Sequence, residues 1–473
     1  MKKFAVKFIL AFLVASIPFI TVIVIAFSSG QQFENTFLGA FSDKYKRLVT
    51  INEPKIIIIS GSSSAFGLRS DILEQELGMP VVNLGLYAEL GTKFMLDISR
   101  AGIKKGDIVV VAPELDAQTL SLYFNSETAW QALDGNISAL RYIKSEDYGT
   151  LAGNFWSHAV SKLKYNRYGG LNPEGVYSRS SFNEYGDIIY PRPHNVILRN
   201  YNPSHLIDLD PSVLCGDFAE YLNKYIKFAE RKGAAVYFNF PPMNRLAVPQ
   251  YGDSEAVYNF YLYLTQSIDC EIIGNINSYI MDERYFYDSN YHLNDSGVLI
   301  RTALLAEDIK RTLDITDPVL IELPPPPESP AVEFMEGDDA YSDYFIYEDY
   351  AEGLIIVGVS AKAKDANEIS VPRFADGKPV VAIGERAFEG CNMLTTAIIY
   401  ENIARLYDNV FYGCERLESI ILMTVNANTL AVGNDLLNGT PESCRIYLPR
   451  EGFVNFATDY FWSRYSGRME ILD

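Results

Sequence analysis

Near its C-terminus the chain repeats itself, and the period of that repeat restricts the possible folds more than any other feature. Ala387-Phe388-Glu389-Gly390-Cys391-Asn392-Met393-Leu394 returns as Val410-Phe411-Tyr412-Gly413-Cys414-Glu415-Arg416-Leu417, 23 residues later at every matched position, and Ile398 maps onto Ile421. A unit that short cannot bury an apolar face alone, so successive units must stack and share one core. In such a stack Cys391 and Cys414 fall in adjacent turns as small buried hydrophobes, and neither a functional disulfide nor a metal site is expected there. The repeats predict a C-terminal solenoid over residues 344–473.

A breaker precedes it. Ile321–Ala331 reads IELPPPPESPA, and four consecutive prolines fit neither a helix nor a central strand. From Glu333 to Glu352 there are eight acids and no base, the pattern of a solvated connection. The domain boundary is therefore placed in a linker over 322–343, with 31–321 as the larger domain.

At the other end, Lys2, Lys3 and Lys7 are followed by Phe8–Phe27, a run of 20 residues without a charge. As a helix it is long enough for the ~30 Å hydrocarbon core of a bilayer. Pro18 is tolerated there, and the exit AFSSG makes a poor cleavage site. Residues 1–30 are thus expected to form an uncleaved signal anchor, crossing the membrane once through 8–27. The preceding lysines would leave the bulk of the chain extracytoplasmic.

Within 31–321, strand and helix patterns alternate. Lys55–Ser60 (KIIIIS), Val81–Leu84, Asp107–Ala112 (DIVVVA) and Ala234–Phe240 read as buried strands. Helical patterns run from a cap at Ser70 through Leu77, and over Leu90–Ala101, Asp217–Arg231, Ser254–Ile268 and Gly297–Leu313. A Tyr- and Asn-rich insertion spans about 120–210. The alternation predicts an α/β class with a parallel sheet covered on both faces. Functional groups then belong at the carboxyl ends of the strands.

Three such groups are apparent. Gly61-Ser62-Ser63-Ser64 follows the first strand, Asn83-Leu84-Gly85 the second, and Asp288-Ser289-Asn290-Tyr291-His292-Leu293-Asn294 precedes the last helix. A serine needs a base to become a nucleophile, and the base needs a carboxylate to orient it. His292 and Asp288 supply that pair on one short loop. The arrangement resembles the SGNH (GDSL-like) hydrolase superfamily over roughly residues 52–315, which implies a flavodoxin-like three-layer α/β/α domain. The resemblance implies Ser63 as nucleophile, His292 as base and Asp288 as its partner. It implies the amides of Ser63 and Gly85 as oxyanion donors. Two departures stand out: Asp288 lies four residues before His292 where the family spaces three, and the third strand ends in VVVAPELD, with Glu114 and Asp116 where the family offers an Asn. Asp282 or Glu283 would then orient the base if Asp288 does not, and Asn83 or Asn244 would replace the absent amide. No cofactor and no metal is implied.

The stretch IGERAFEGC, with the terminal RIYLPREGFVNFATDYFWSRY, resembles the BspA-like leucine-rich repeats of bacterial surface proteins. Such repeats bind proteins or glycans through an open face, or act as a spacer. Together the two resemblances imply a membrane-anchored acyl esterase or O-acyltransferase acting on a cell-envelope polysaccharide or a teichoic-acid-like polymer. The alternative is a non-catalytic adhesion or scaffold protein with a degenerate hydrolase domain. His158, His194 and His205 lie in the insertion, either lining a glycan groove or as surface loop residues. Nothing suggests a lipase lid or lipid groove. A formal charge of −20 speaks against nucleic acid as a partner, because phosphate binding needs clustered cations.

Overall fold

The computed structural model describes residues 2–168, 175–197, 200–202, 205–328, 339–350, 353–459 and 461–472. Much of the acidic part of the expected linker, at 329–338, lies outside the described residues.

The larger domain is built on one parallel sheet. Its strands are β1 (Ile56–Ser60), β2 (Val81–Gly85), β3 (Ile108–Val111) and β4 (Ala235–Phe238). A two-residue β5 (Met243–Asn244) pairs outside the sheet with β7 (Ile280–Met281), and β6 (Glu271–Ile272) closes the edge. The order is β2-β1-β3-β4-β6, doubly wound, with the reversal between β1 and β3. The isoleucine run of β1 is buried on both faces, and the period of two divides it cleanly. Ile57, Ile59, Val109 and Val111 join the core beneath α2 (Phe41–Thr50), α5 (Thr92–Ser99) and α8 (Gly216–Arg231). Ile56, Ile58 and Val110 face Leu73 of α4 (Ser70–Leu77) and Leu305, Ala306 and Ile309 of α10 (Asp295–Thr312). This gives three layers, helix on sheet on helix. Ser70 does not act as a cap, because its hydroxyl donates to Asp187 Oδ1 at 2.6 Å and its amide to Asp187 Oδ2 at 2.7 Å.

The repeats form a solenoid with two parallel ladders. In one, Glu368–Ser370, Thr396–Ile399, Ser419–Leu422, Arg445–Pro449 and Met469–Leu472 lie side by side, and Ile398 pairs with Ile421. In the other, Lys378–Ile383, Arg405–Leu406 and Ala431–Val432 follow an antiparallel opening hairpin, Phe345–Tyr350 with Gly353–Val359. Cys391, Cys414 and Cys444 are free and fully buried in the shared core. Burial pushes the Cys391 thiol up to about 11 and the Cys414 thiol up to about 12.

The N-terminus departs from expectation. Among the described residues no helix is long and apolar enough to cross a membrane, which overturns the single-pass anchor through 8–27 and the placement drawn from it. Helix α1 (Lys2–Ser28) instead lies along α7 (Tyr148–Tyr168) of the insertion. Phe19 meets Trp156 edge-on at 5.6 Å, and Phe27 stacks on Phe155 at 5.7 Å. Both rings touch the insertion while remaining about half exposed, at 56% and 50%.

Candidate functional site

The switch between β1 and β3 sets the site. Chain leaving β1 turns at Gly61 into a single helical turn, α3 (Ser62–Ala65). Successive residues of such a turn point about 100° apart. Ser62 and Ser63 therefore face different surroundings. Ser62 Oγ lies 2.8 Å from His292 Nε2. Ser63 is fully buried, its hydroxyl 3.0 Å from Ser60 Oγ. The serine hydrogen-bonded to His292 is thus Ser62, while Ser63, expected as the nucleophile, faces Ser60.

Asp288 Oδ1 lies 2.7 Å from His292 Nδ1, across the four-residue spacing. The extra residue is taken up by a tight loop. Ser289 Oγ accepts the amides of Tyr291 and His292, at 3.2 and 3.1 Å, and the Tyr287 amide donates to the His292 carbonyl at 2.8 Å. Asp288 Oδ2 accepts from the Tyr177 hydroxyl at 2.7 Å. Burial, followed by the neighbouring Asp288 charge, pushes that phenol well above its ordinary range. The imidazole lies flat on Phe66, 3.8 Å between ring centroids and 2° between planes. Asp282 and Glu283 take no part. Asp282 pairs with Arg284 at 2.8 Å and Glu283 with Arg245 at 2.6 Å.

The four expected oxyanion donors are all engaged elsewhere. The Ser63 amide donates to Glu114 Oε1 at 2.9 Å, and the Gly61 amide to Glu114 Oε2 at 3.2 Å. The Gly85 amide donates to Asn83 Oδ1 at 2.8 Å. Asn83 Nδ2 in turn donates to the Ser64 carbonyl and to Asp187 Oδ1, each at 2.8 Å. Asn244 is drawn off to the Asn200 carbonyl, to which its Nδ2 donates at 2.7 Å. Glu114, on the segment after β3, is buried, and burial pushes its carboxyl up against the pull of its hydrogen bonds. The Gly61 and Ser63 amides that Glu114 takes up are therefore not free to stabilise a developing negative charge, as acyl transfer needs.

Ser62 and His292 open into a cavity of about 310 Å³ that Glu89, Asp116, His205, Asp459 and Phe461 also line. Asp459 and Phe461 come from the solenoid's terminal segment. Burial and then the Asp459 charge push Glu89 up to about 7, and burial raises Asp459 to about 6. On the opposite side, Asn426 of the repeats donates Nδ2 to the Asp288 carbonyl at 2.9 Å. Of the remaining insertion histidines, His158 is buried against Trp130 at 5.5 Å and lowered by burial, while His194 is half-buried and lines neither of these walls.

Sequence reasoning missed Glu114 as a ligand of amides, Tyr177 as the support of Asp288, and Lys44. The Lys44 ammonium, lowered to about 7 by burial, donates to the Gly85 carbonyl at 2.6 Å and the Gly186 carbonyl at 2.7 Å. One signal for Glu114 was present. A Cβ at position 61 would lie 2.2 Å from Glu114 Oε2, so only glycine there lets the carboxylate in. Among the described residues no group of three or more His, Cys, Asp or Glu could hold a metal ion.

No curated protein matches the chain. Solved structures that are similar include a leucine-rich repeat protein from Bacteroides ovatus, at 18% identity over 23% of this chain and 36% of that one, with a TM-score of 0.16. A leucine rich cell surface protein from Faecalibacterium prausnitzii is similar at 17% identity, over 31% of each chain, with a TM-score of 0.16. A leucine rich repeat protein of T. pallidum is similar at 16%, over 22% of this chain and 69% of that one, again with a TM-score of 0.16. The chain spans about a third of the length of the first two. None of these comparisons supports the SGNH resemblance of the larger domain. Residues 366–461 match the BspA type leucine rich repeat region in six copies, and the C-terminal solenoid is a BspA-like leucine-rich repeat region.

Proposed function

We propose that the chain is a non-catalytic binding or scaffold protein. Its repeats, from about 344 onward, carry recognition of a protein or glycan. The α/β domain at 31–321, joined through the linker at 322–343, presents a Ser62–His292–Asp288 constellation that does not turn over. The observation that carries this reading is Glu114. Its carboxylate accepts the Gly61 and Ser63 amides on either side of Ser62, and Asn83 takes the Gly85 amide, so the backbone donors expected for an oxyanion are engaged. Loss of one such donor typically costs about 10²–10³ in rate.

The second reading, an acyl esterase or acyltransferase of SGNH type, is favoured by the hydrogen bonds from Ser62 to His292 and from His292 to Asp288. A fluorophosphonate probe separates the two. The folded full chain is expected to remain unlabelled. Labelling that vanishes in both Ser62→Ala and His292→Ala would establish an activated serine and favour the enzyme.

A further inference from the structure

Between Ile17 and Ser28 helix α1 has no charged residue, and little of it is covered. Ile17, Ile20, Val24 and Phe27 fall at i, i+3, i+7 and i+10, which places them on one stripe, and each is at least 50% exposed. On the adjoining α7, Trp156, Val160 and Leu163 form a second exposed stripe at i, i+4 and i+7, and the edge-on contact of Phe19 with Trp156 sets the two side by side. Together they present roughly 800 Å² of apolar surface, above the ~300–600 Å² patch of a typical monomer and about one partner's share of a standard protein interface. Gly149 and Gly153 precede Trp156 on the α7 stripe, seven and three residues back, and a Cβ at either would meet nothing within 4 Å. Beside them opens a cavity of about 450 Å³, whose walls include Ile23, Phe27, Trp130, Tyr148 and Leu151.

We propose that this face is the contact between two copies of the chain, related by a two-fold axis. A two-fold contact is self-complementary, so one surface must supply both ridge and hollow. Ile17, Ile20 and Val24 form the ridge. The open track at Gly149 and Gly153, with the cavity beside it, is the hollow, and residues without a side chain let a second helix approach closely. Aromatic anchors and a lack of charge are the composition of an interface core, and Phe19, Phe27 and Trp156 supply the anchors. A lipid surface fits the same stripes less well. A helix lying in a headgroup layer needs a face rich in lysine and arginine opposite its apolar one. Residues 8–28 have no base, and the chain's charge of −20 repels an anionic leaflet. None of these residues belongs to the repeats, so the pair carries two solenoids and gains avidity for a partner that repeats its epitope.

The test is sedimentation equilibrium of the full chain, purified without detergent, together with flotation on vesicles of phosphatidylcholine and phosphatidylglycerol. A dimer is expected at about 10 μM chain, with no flotation. Val24→Glu and Val160→Glu, one on each helix, set an uncompensated charge in the contact, and each is expected to weaken association by at least about a hundredfold. Both positions are exposed in the single chain, so their melting curves below the dimer concentration are expected to match the wild type. Tyr258→Glu, at an exposed position of the helix Ser254–Ser267, serves as the control and is expected to leave the dimer intact. A monomer at that concentration, growth into open-ended polymers, or a dimer that survives both glutamates would each overturn the proposal. Flotation of the wild type would also overturn it and would assign the two stripes to lipid.

Discussion

Glu114 is held by two backbone amides and by the absence of a side chain at Gly61. Glu114→Gln replaces one acceptor with a donor that faces those amides, and a loss of about 1–3 kcal/mol in folding stability is expected by urea denaturation. Gly61→Ala pushes a methyl against the pinned carboxylate, with a similar expected loss of about 1–3 kcal/mol. The hydrogen-bonded contact of His292 with Asp288 was legible because both sit on one short loop before a helix. The serine was not. Three consecutive serines carry no register, and a shift of one residue around a helical turn separates a hydroxyl facing His292 from one facing Ser60. Tyr177 and Asp187 were beyond reach, since both reach the site from an irregular insertion whose path no periodicity announces.

Among the elements, the solenoid was the most legible, because its 23-residue identity fixes backbone as well as side chains. Gly390 and Gly413 both adopt left-handed backbone, at φ 89° and 78°, and Arg386 and Asn409, also 23 residues apart, do so at 57° and 56°. A Cβ at Gly413 would meet nothing within 4 Å, so substitution there reports backbone strain alone. Gly413→Ala is expected to cost about 1 kcal/mol or slightly more, and Gly413→Asn less, as read from unfolding midpoints. The third turn is less legible because its pattern drifts. Gly439 keeps the left-handed backbone, but Leu436-Leu437 stands in for the phenylalanine and Cys444 arrives off the 23-residue period. In the sheet, strand existence followed from the isoleucine and valine runs, while the ends shifted: β1, β3 and β4 are shorter than expected and β2 gains Gly85. Lys55, counted with the first strand, instead forms a buried pair with Asp107 at 3.0 Å.

Across the whole molecule, the two halves meet through acids. Glu89 is held at about 7 against an ordinary 4.5, and Asp459 at about 6 against 3.8. Both carboxyls bind their protons more tightly in the folded chain than in the unfolded one. The stability this contributes is full below about pH 4 and is lost as pH rises through about 6 to 7. The expected loss attributable to this pair is of order 1–3 kcal/mol. Asp459→Asn should flatten the profile over that window, which urea midpoints measured at several pH values would read. The long uncharged run at the N-terminus misled at this scale. Hydropathy counts apolar residues without knowing what they touch, and Phe19 and Phe27 each set part of a ring against the insertion.

The bond from Asn426 to the Asp288 carbonyl joins residues 138 positions apart. Contacts of such separation form late, and domains emerge from the ribosome N-terminal first. The loop carrying Asp288 and His292 is therefore translated and able to fold while the repeats that flank it are still being made. For that interval the chain lacks the wall that Asn426, Asp459 and Phe461 set beside Asp288, His292 and Ser62. The finished molecule covers a surface that its own order of synthesis leaves open until the last repeats are made.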